Sequence, residues 1–324
     1  MRDLRALPKA HLHLHLTGAM RPATLAHLAA RHGLRTPPPL PTGTVHGWAA
    51  FQDRYDTARA AIRDAGDVAR VVTEAAADDA ADGCGWLEIQ VDPTGYADRL
   101  GGTAGAVEAV LAGAARAPIP VAVIVAAGWS APPEHAEALA RLAARYAGRG
   151  VVGFGLSNDE RLGRVADFAR ACGLAADAGL LVTPHAGFYE PASHVRECVT
   201  VLGAGRIGHG ITGGGCPRTR DLLASRGVAL EVCPTSYPPF GVADLATVPV
   251  RGLLAAGVPV ALGTDDPLLF GVGLAGQYAI AREVLGCPDA ELAALARHSV
   301  AASTAPAEIK SRLTAGIDAW LSTS

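Results

Sequence analysis

Lysine is nearly missing from this chain: Lys9 and Lys310 are the only two among 324 residues. Neither falls in an apolar run that reads as an interior strand, so a pair of metal ions bridged by a modified lysine finds no bridge. A strong charge of either sign is missing too. The net charge is −3, with acids and bases interspersed, which leaves nothing to recruit nucleic acid or an anionic membrane by electrostatics. No apolar run approaches the ~20 residues of a membrane span, and the opening stretch 1–15 lacks the continuous apolar core of a signal peptide. The six cysteines (Cys84, Cys172, Cys198, Cys216, Cys233 and Cys287) include no C-x-x-C pair. In a chain of this size they read as reduced thiols, and a cytoplasmic location is expected. Internal repeats and low-complexity tails are absent.

What is present is apolar: half of the residues, enough for one large α/β core without a second domain. Short apolar runs occur at 12–16, 86–91, 119–126, 151–156, 180–184, 206–208, 228–232 and 258–262. Stretches with helical spacing lie between most of them, for example 132–146, 161–178 and 218–226. Eight strands alternating with helices predict an α/β fold, a (β/α)8 barrel spanning 1–324 as a single domain. Residues 21–82 hold two or three helices and the proline-rich stretch Thr36–Pro41, which together read as an insertion after the first strand. An exposed loop is expected at Gly213–Pro217. Residues 288–324 read as closing helices.

In such a barrel the chemistry sits at the C-terminal ends of the strands. His13 and His15 end the first run, His185 the fifth and His209 the sixth, while Asp265 and Asp266 follow the eighth. In His11-Leu12-His13-Leu14-His15, side-chain alternation puts the three histidines on one face. Imidazoles two residues apart can grip one metal ion, through His11 and His13 or through His13 and His15; a hydrogen-bonded histidine strand is the bland alternative. His185 in Thr183-Pro184-His185-Ala186-Gly187 offers a ligand from a different strand, although a single strand-end histidine is more often structural. Glycines flank His209 in Gly208-His209-Gly210 and allow another group to come close, as suits a general base; a turn histidine is the bland alternative. Asp265 and Asp266 repel each other unless one is neutralised. A metal on Asp265 does that and leaves Asp266 for substrate, whereas Asp266-Pro267 is otherwise a turn signal. Together these groups can hold one divalent ion and activate a water molecule.

In this order the motifs resemble the adenosine deaminase family of the amidohydrolase superfamily. The resemblance runs through Pro8–Gly18, His185-Ala186-Gly187, Arg206-Ile207-Gly208-His209-Gly210, Leu230–Ser236 and Gly263-Thr264-Asp265-Asp266-Pro267. It implies zinc held by His13, His15, His185 and Asp265, with His209 orienting the attacking water and Asp266 close to the ring under attack. The family has Glu where His11 stands, which resolves the choice of histidine pair.

The departures cluster where the family reads its substrate. Phe188 follows His185-Ala186-Gly187 in place of the glutamate that protonates the purine ring, Thr17 replaces an acid that holds a ribose hydroxyl, and Asn158 replaces a glycine facing the purine. Tyr237 likewise replaces the asparagine of Thr-Ser-Asn. Gly187, Thr17, Asn158 and Phe188 are therefore the candidate substrate-binding residues. The expected activity is hydrolytic deamination, or another C–N bond hydrolysis, on an aminated heterocycle other than adenosine. Two alternatives stand beside it: adenosine deamination with Glu190 or a water as substitute acid, and a non-catalytic barrel that keeps its metal for stability. The H-x-E match at His135-Ala136-Glu137 lacks the P-C-x-x-C partner of a cytidine-deaminase zinc site.

Overall fold

The computed structural model describes residues 1–40 and 44–322. Eight parallel strands follow one another around a barrel in the order of the sequence: β1 (Lys9–His15), β2 (Cys84–Val91), β3 (Val121–Gly128), β4 (Val151–Ser157), β5 (Leu181–Ala186), β6 (Arg206–His209), β7 (Ala229–Val232) and β8 (Val260–Leu262). All of the expected runs coincide with strands. The ring closes just beyond β8, where Asp265 accepts from the His15 N–H and donates its own N–H to the His13 carbonyl, each at 3.1 Å.

Three helices fill the expected insertion: α1 (Pro22–His32), α2 (Gly47–Ala61) and α3 (Ala65–Ala81). Pro41, the last residue of the proline-rich stretch, lies outside the described residues. The outer ring continues with α4 (Gly102–Ala114), α5 (Pro133–Arg145), α6 (Ala169–Asp177), α7 (Ala192–Val201), α8 (Pro217–Arg226) and α9 (Val250–Ala255). After the barrel come α10 (Pro267–Phe270), α11 (Leu274–Glu283), α12 (Asp289–Ala302) and α13 (Ala307–Ser322); residues 323–324 of the expected closing segment lie outside the described ones. Two expectations are refined. The 161–178 stretch breaks into two 3-10 turns before α6 starts, and 213–217 is the end of a 3-10 turn leading into α8.

Alanine-rich, amphipathic helices suit this ring. In α5 the buried residues Ala136, Leu139, Ala140, Leu142 and Ala143 recur at helical spacing, and the small alanines let the helix lie close to the strands. Most strand residues are fully buried, as strands covered on both faces must be. The barrel interior is not wholly apolar. Glu88, Arg206 and Glu231 are buried there together, with Arg206 Nη2 2.6 Å from Glu88 and its Nε on Glu231. Each buried charge has an opposite partner, as it needs.

Candidate metal centre and cavity

Strand β1 departs from simple alternation. Its pairing with β2 shifts register between His11 and Leu14, and the histidines part company. His11 Nδ1–H donates to Asp79 of α3 at 2.8 Å, and its Nε2 accepts the Thr264 N–H at 3.1 Å. His13 Nδ1 instead meets Glu231 of β7 at 2.7 Å, across the barrel. The expected shared face is thus limited to His13 and His15, which removes His11 from the candidate centre. Lys9 turns out to be the first residue of β1, but its ammonium is bound to the carbonyls of Leu4 and Asp82, away from the cluster.

Five side chains converge at the C-terminal rim. Atoms of His13, His185, His209 and Asp265 all lie within 4.8 Å of one another. His15 joins them, its Nε2 at 3.1 Å from His185 Nε2 and 3.2 Å from Asp265 Oδ1. The ring orientations suit a cation. His185 Nδ1 is 2.8 Å from the Leu156 carbonyl, which can only accept, so Nδ1 carries the proton and Nε2 presents its lone pair inward. Glu231 does the same for His13, whose Nε2 is buried without a hydrogen-bond partner. Outer hydrogen bonds of this type fix the tautomer and orientation of metal-binding imidazoles. The donor set, three or four neutral imidazoles and one carboxylate, is that of a divalent transition ion.

The backbone is bent to bring these groups together. Among the described residues, Asn158, His209 and Asp265 are the only ones other than glycine with positive φ, at 67°, 66° and 59°. All three lie at this rim, and such conformations persist only where the surroundings enforce them. Two glycines make room. A Cβ on Gly208 would come within 2.9 Å of His13 Cε1, and one on Gly18 within 1.8 Å of Asp266 Oδ1. Burial alone would raise the pKa of both adjacent carboxyls. The imidazoles of His13 and His15, 3.4 and 3.2 Å from Asp265 Oδ1, outweigh it and hold Asp265 well below its usual value, whereas the Asp265 charge adds to burial and pushes Asp266 well up. Burial takes His209 down to about 3.

A cavity opens over the cluster, about 550 Å³ of empty space counted out to its open mouth. Asn158, Phe188 and Asp266 line it beside His15, His185, His209 and Asp265. Thr17 and Gly187 do not. Thr17 is fully buried with its hydroxyl on that of Tyr96. Gly187 serves a turn at φ 72°, and a Cβ there would strike Val195 and Thr212. Glu190 is likewise absent from the lining; its N–H, with that of Tyr189, binds Glu160 Oε1 at 2.6 and 2.5 Å.

Sequence reasoning missed Glu160 and most of the aromatic wall. Trp48, Phe51 and Tyr55 of α2 line the cavity together with Tyr189, Phe240 and Phe270. The i, i+3, i+7 spacing of the first three was a readable sign of a single helix face. No comparable signal marked Phe240 or Phe270, which end a three-residue 3-10 turn (Pro238–Phe240) and the four-residue α10.

Residues 8–320 match the family model described as adenosine deaminase. A Streptomyces coelicolor protein provisionally named an adenosine/adenine deaminase is 52% identical over 99% of this chain and 98% of its own length. The aminodeoxyfutalosine deaminase of Acidothermus cellulolyticus is 35% identical over 86% of this chain and 83% of its own. An amidohydrolase from Burkholderia ambifaria, solved with bound zinc, superposes with a TM-score of 0.85 at 26% identity, covering 98% of this chain and 92% of that one. With a family match over almost its whole length, eight barrel strands in sequence order and the histidine–aspartate cluster at their C-terminal rim, the chain belongs to the adenosine deaminase family of the amidohydrolase superfamily, metal-dependent hydrolases of C–N bonds.

Proposed function

We propose that the chain deaminates an aminated nitrogen heterocycle other than adenosine, with one zinc ion held by His13, His15, His185 and Asp265. The observation that carries this reading is Phe188 packed edge-on against His209, ring centroids 4.7 Å apart, beside an otherwise complete cluster. A divalent ion at that cluster supplies the charge that lets water react as hydroxide near neutral pH. The chain's own groups do the rest. His209 Nε2 is placed 3.8 Å from Asp265 Oδ2, next to the cluster, where it can orient the water and take its proton. Asp266 faces the heterocycle from a buried position, with Oδ1 free of any hydrogen bond. As water adds to the amino-bearing carbon, the C–N bond breaks, the amine leaves with a proton and a carbonyl remains.

Phe188 cannot give a proton to a purine nitrogen in the way the family's glutamate does. Electrostatic help at such a position is worth several kcal/mol in a transition state. Asn158 adds an amide at the purine edge, and Thr17 offers the cavity no hydroxyl for a ribose. Adenosine is therefore a poor substrate. The test compares adenosine turnover by the protein and its Phe188→Glu variant. Turnover by the unmodified protein at a kcat on the order of 10 s⁻¹ or more overturns the reading; a gain in the variant supports it. A protein that binds zinc yet releases no amine from any aminated heterocycle is a binding barrel instead.

A further inference from the structure

The cavity is divided by chemistry. The polar groups of the cluster, with Asp266 and Asn158, form its floor, and aromatic rings supply most of the remaining wall. The chain has 6 Phe, 6 Tyr and 4 Trp in all, and seven of these line this one cavity. The rings touch in sequence outward from the reacting centre. Phe188, on His209, meets Phe240 with centroids 5.4 Å apart. Phe240 meets Phe51 at 5.2 Å and Trp48 at 5.8 Å, and Phe270 stacks on Phe51 at 5.8 Å and 10°. Among the described residues, no lysine or arginine lines the aromatic part; Arg59 lines the adjoining hollow beside His15, Tyr55 and Asn158, where it is paired with Asp56. A phosphate or carboxylate lying along Phe188, Phe240 and Phe51 loses its water against apolar rings, with no lysine or arginine there to replace it. A substituent reaching from the base over Phe188, Phe240 and Phe51 meets rings at every step.

We propose that the substrate is an uncharged aminated heterocycle bearing an apolar substituent, aromatic or bulky aliphatic, that lies along Phe188, Phe240 and Phe51. This rests on the hydrolytic reading above and adds the identity of the substituent to it. The substituent sits either on the departing amine, in which case water releases a substituted amine and leaves the bare carbonyl heterocycle, or on the ring, in which case ammonia leaves and the substituent stays on the product. Rings that pack edge-to-face with each other accept a further ring in the same way, and burying a phenyl-sized group corresponds to a gain of roughly 10- to 100-fold.

The test uses the zinc-loaded protein and four compounds: adenine, adenine benzylated on its exocyclic amine, adenine benzylated on a ring nitrogen remote from that amine, and AMP. Both kcat/KM and the dissociation constant by calorimetry are measured. The expected result is that one benzyl compound exceeds adenine by about 10-fold or more in binding and turnover, with AMP below both. Phe51→Ala and Trp48→Ala are expected to shrink the ratio of benzyl compound to adenine, a ratio that a general loss of folded protein leaves unchanged. Equal or weaker binding of both benzyl compounds, a preference for AMP, or ratios untouched in both variants would each overturn the proposal. Tight binding of a benzyl compound without amine release would support the pocket assignment and sink the hydrolytic reading instead.

Discussion

At the scale of single residues, the division of labour within the cluster is the sharpest question, because His15 and His209 both lie within reach of the same aspartate. His209 is assigned to water activation, with the metal held by His13, His15, His185 and Asp265. His209→Ala is then expected to retain its metal while losing about 10²–10⁴-fold in kcat, the usual contribution of a positioned acid–base group. Metal content by elemental analysis alongside steady-state kinetics checks this; loss of metal in the variant makes His209 a ligand and overturns the assignment. How much of this site was legible in the sequence depends on the kind of residue. His13, His15, His185, His209, Asp265 and Asp266 stand at strand ends, where the barrel pattern itself says they meet. His11 was misplaced because an irregularity in β1 breaks the alternation that pairing usually preserves, and Thr17 because the hydroxyl of Tyr96, distant in sequence, claims it. Glu231 escaped notice although its contact sets the tautomer of His13: on a buried strand, a carboxylate that orients a ligand and one that only balances an arginine look alike until the fold brings them together.

At the scale of elements, β1 carries two of the cluster histidines and is tied to α3 at its start by Lys9. That side chain is fully buried, with its ammonium 2.9 Å from the Leu4 carbonyl and 2.5 Å from that of Asp82 at the end of α3, over the ring of Tyr278. The location suits a cation at a helix C-terminus, yet burial outweighs the nearby negative groups and brings the pKa from 10.5 to about 8. The consequence for stability has a definite sign. Below pH 8 both the folded and unfolded chains carry the proton. Between pH 8 and 10.5 the unfolded chain keeps a proton that the folded one has lost, so this residue's contribution to stability rises with pH, by roughly 3 kcal/mol in all. Denaturant unfolding of the protein and of Lys9→Met from pH 7 to 11 is expected to show their stability difference shifting by that amount in favour of the lysine protein. A difference that stays constant with pH would mean that Lys9 keeps its ordinary pKa. The helices and strands were largely predictable because apolar runs of strand length alternate with amphipathic alanine-rich stretches. The irregular turns around 160–168 and 211–215 were not, since short 3-10 segments have no hydrophobic period of their own.

At the scale of the whole molecule, the cluster lies where the barrel is least secured by its own backbone. Strands β1 and β8 are joined by an isolated bridge between Leu14 and Asp265, and β8 itself is only three residues long. The candidate ligands come from β1, β5 and the turn after β8, so one ion would tie that seam to the far side of the barrel. A ligand that binds only the folded chain stabilises it by RT ln(1 + [L]/Kd), about 2.7 kcal/mol at a hundredfold excess over Kd and ~4 kcal/mol at a thousandfold. Stability is therefore expected to rise with free zinc on that logarithmic law, to a plateau in metal content of one ion per chain. On chelation, amide protons along β1 and the 263–266 turn are expected to lose protection first, ahead of β2–β4, because each of the latter is paired with a strand on both sides, whereas β1 meets its second neighbour through the isolated Leu14–Asp265 bridge. Elemental analysis, zinc-titrated unfolding and hydrogen exchange read the three quantities independently. A second ion per chain would refute the single-site arrangement. Stability indifferent to zinc, or protection lost evenly around the barrel, would show that the seam is held by packing alone and that the ion serves chemistry without serving the fold.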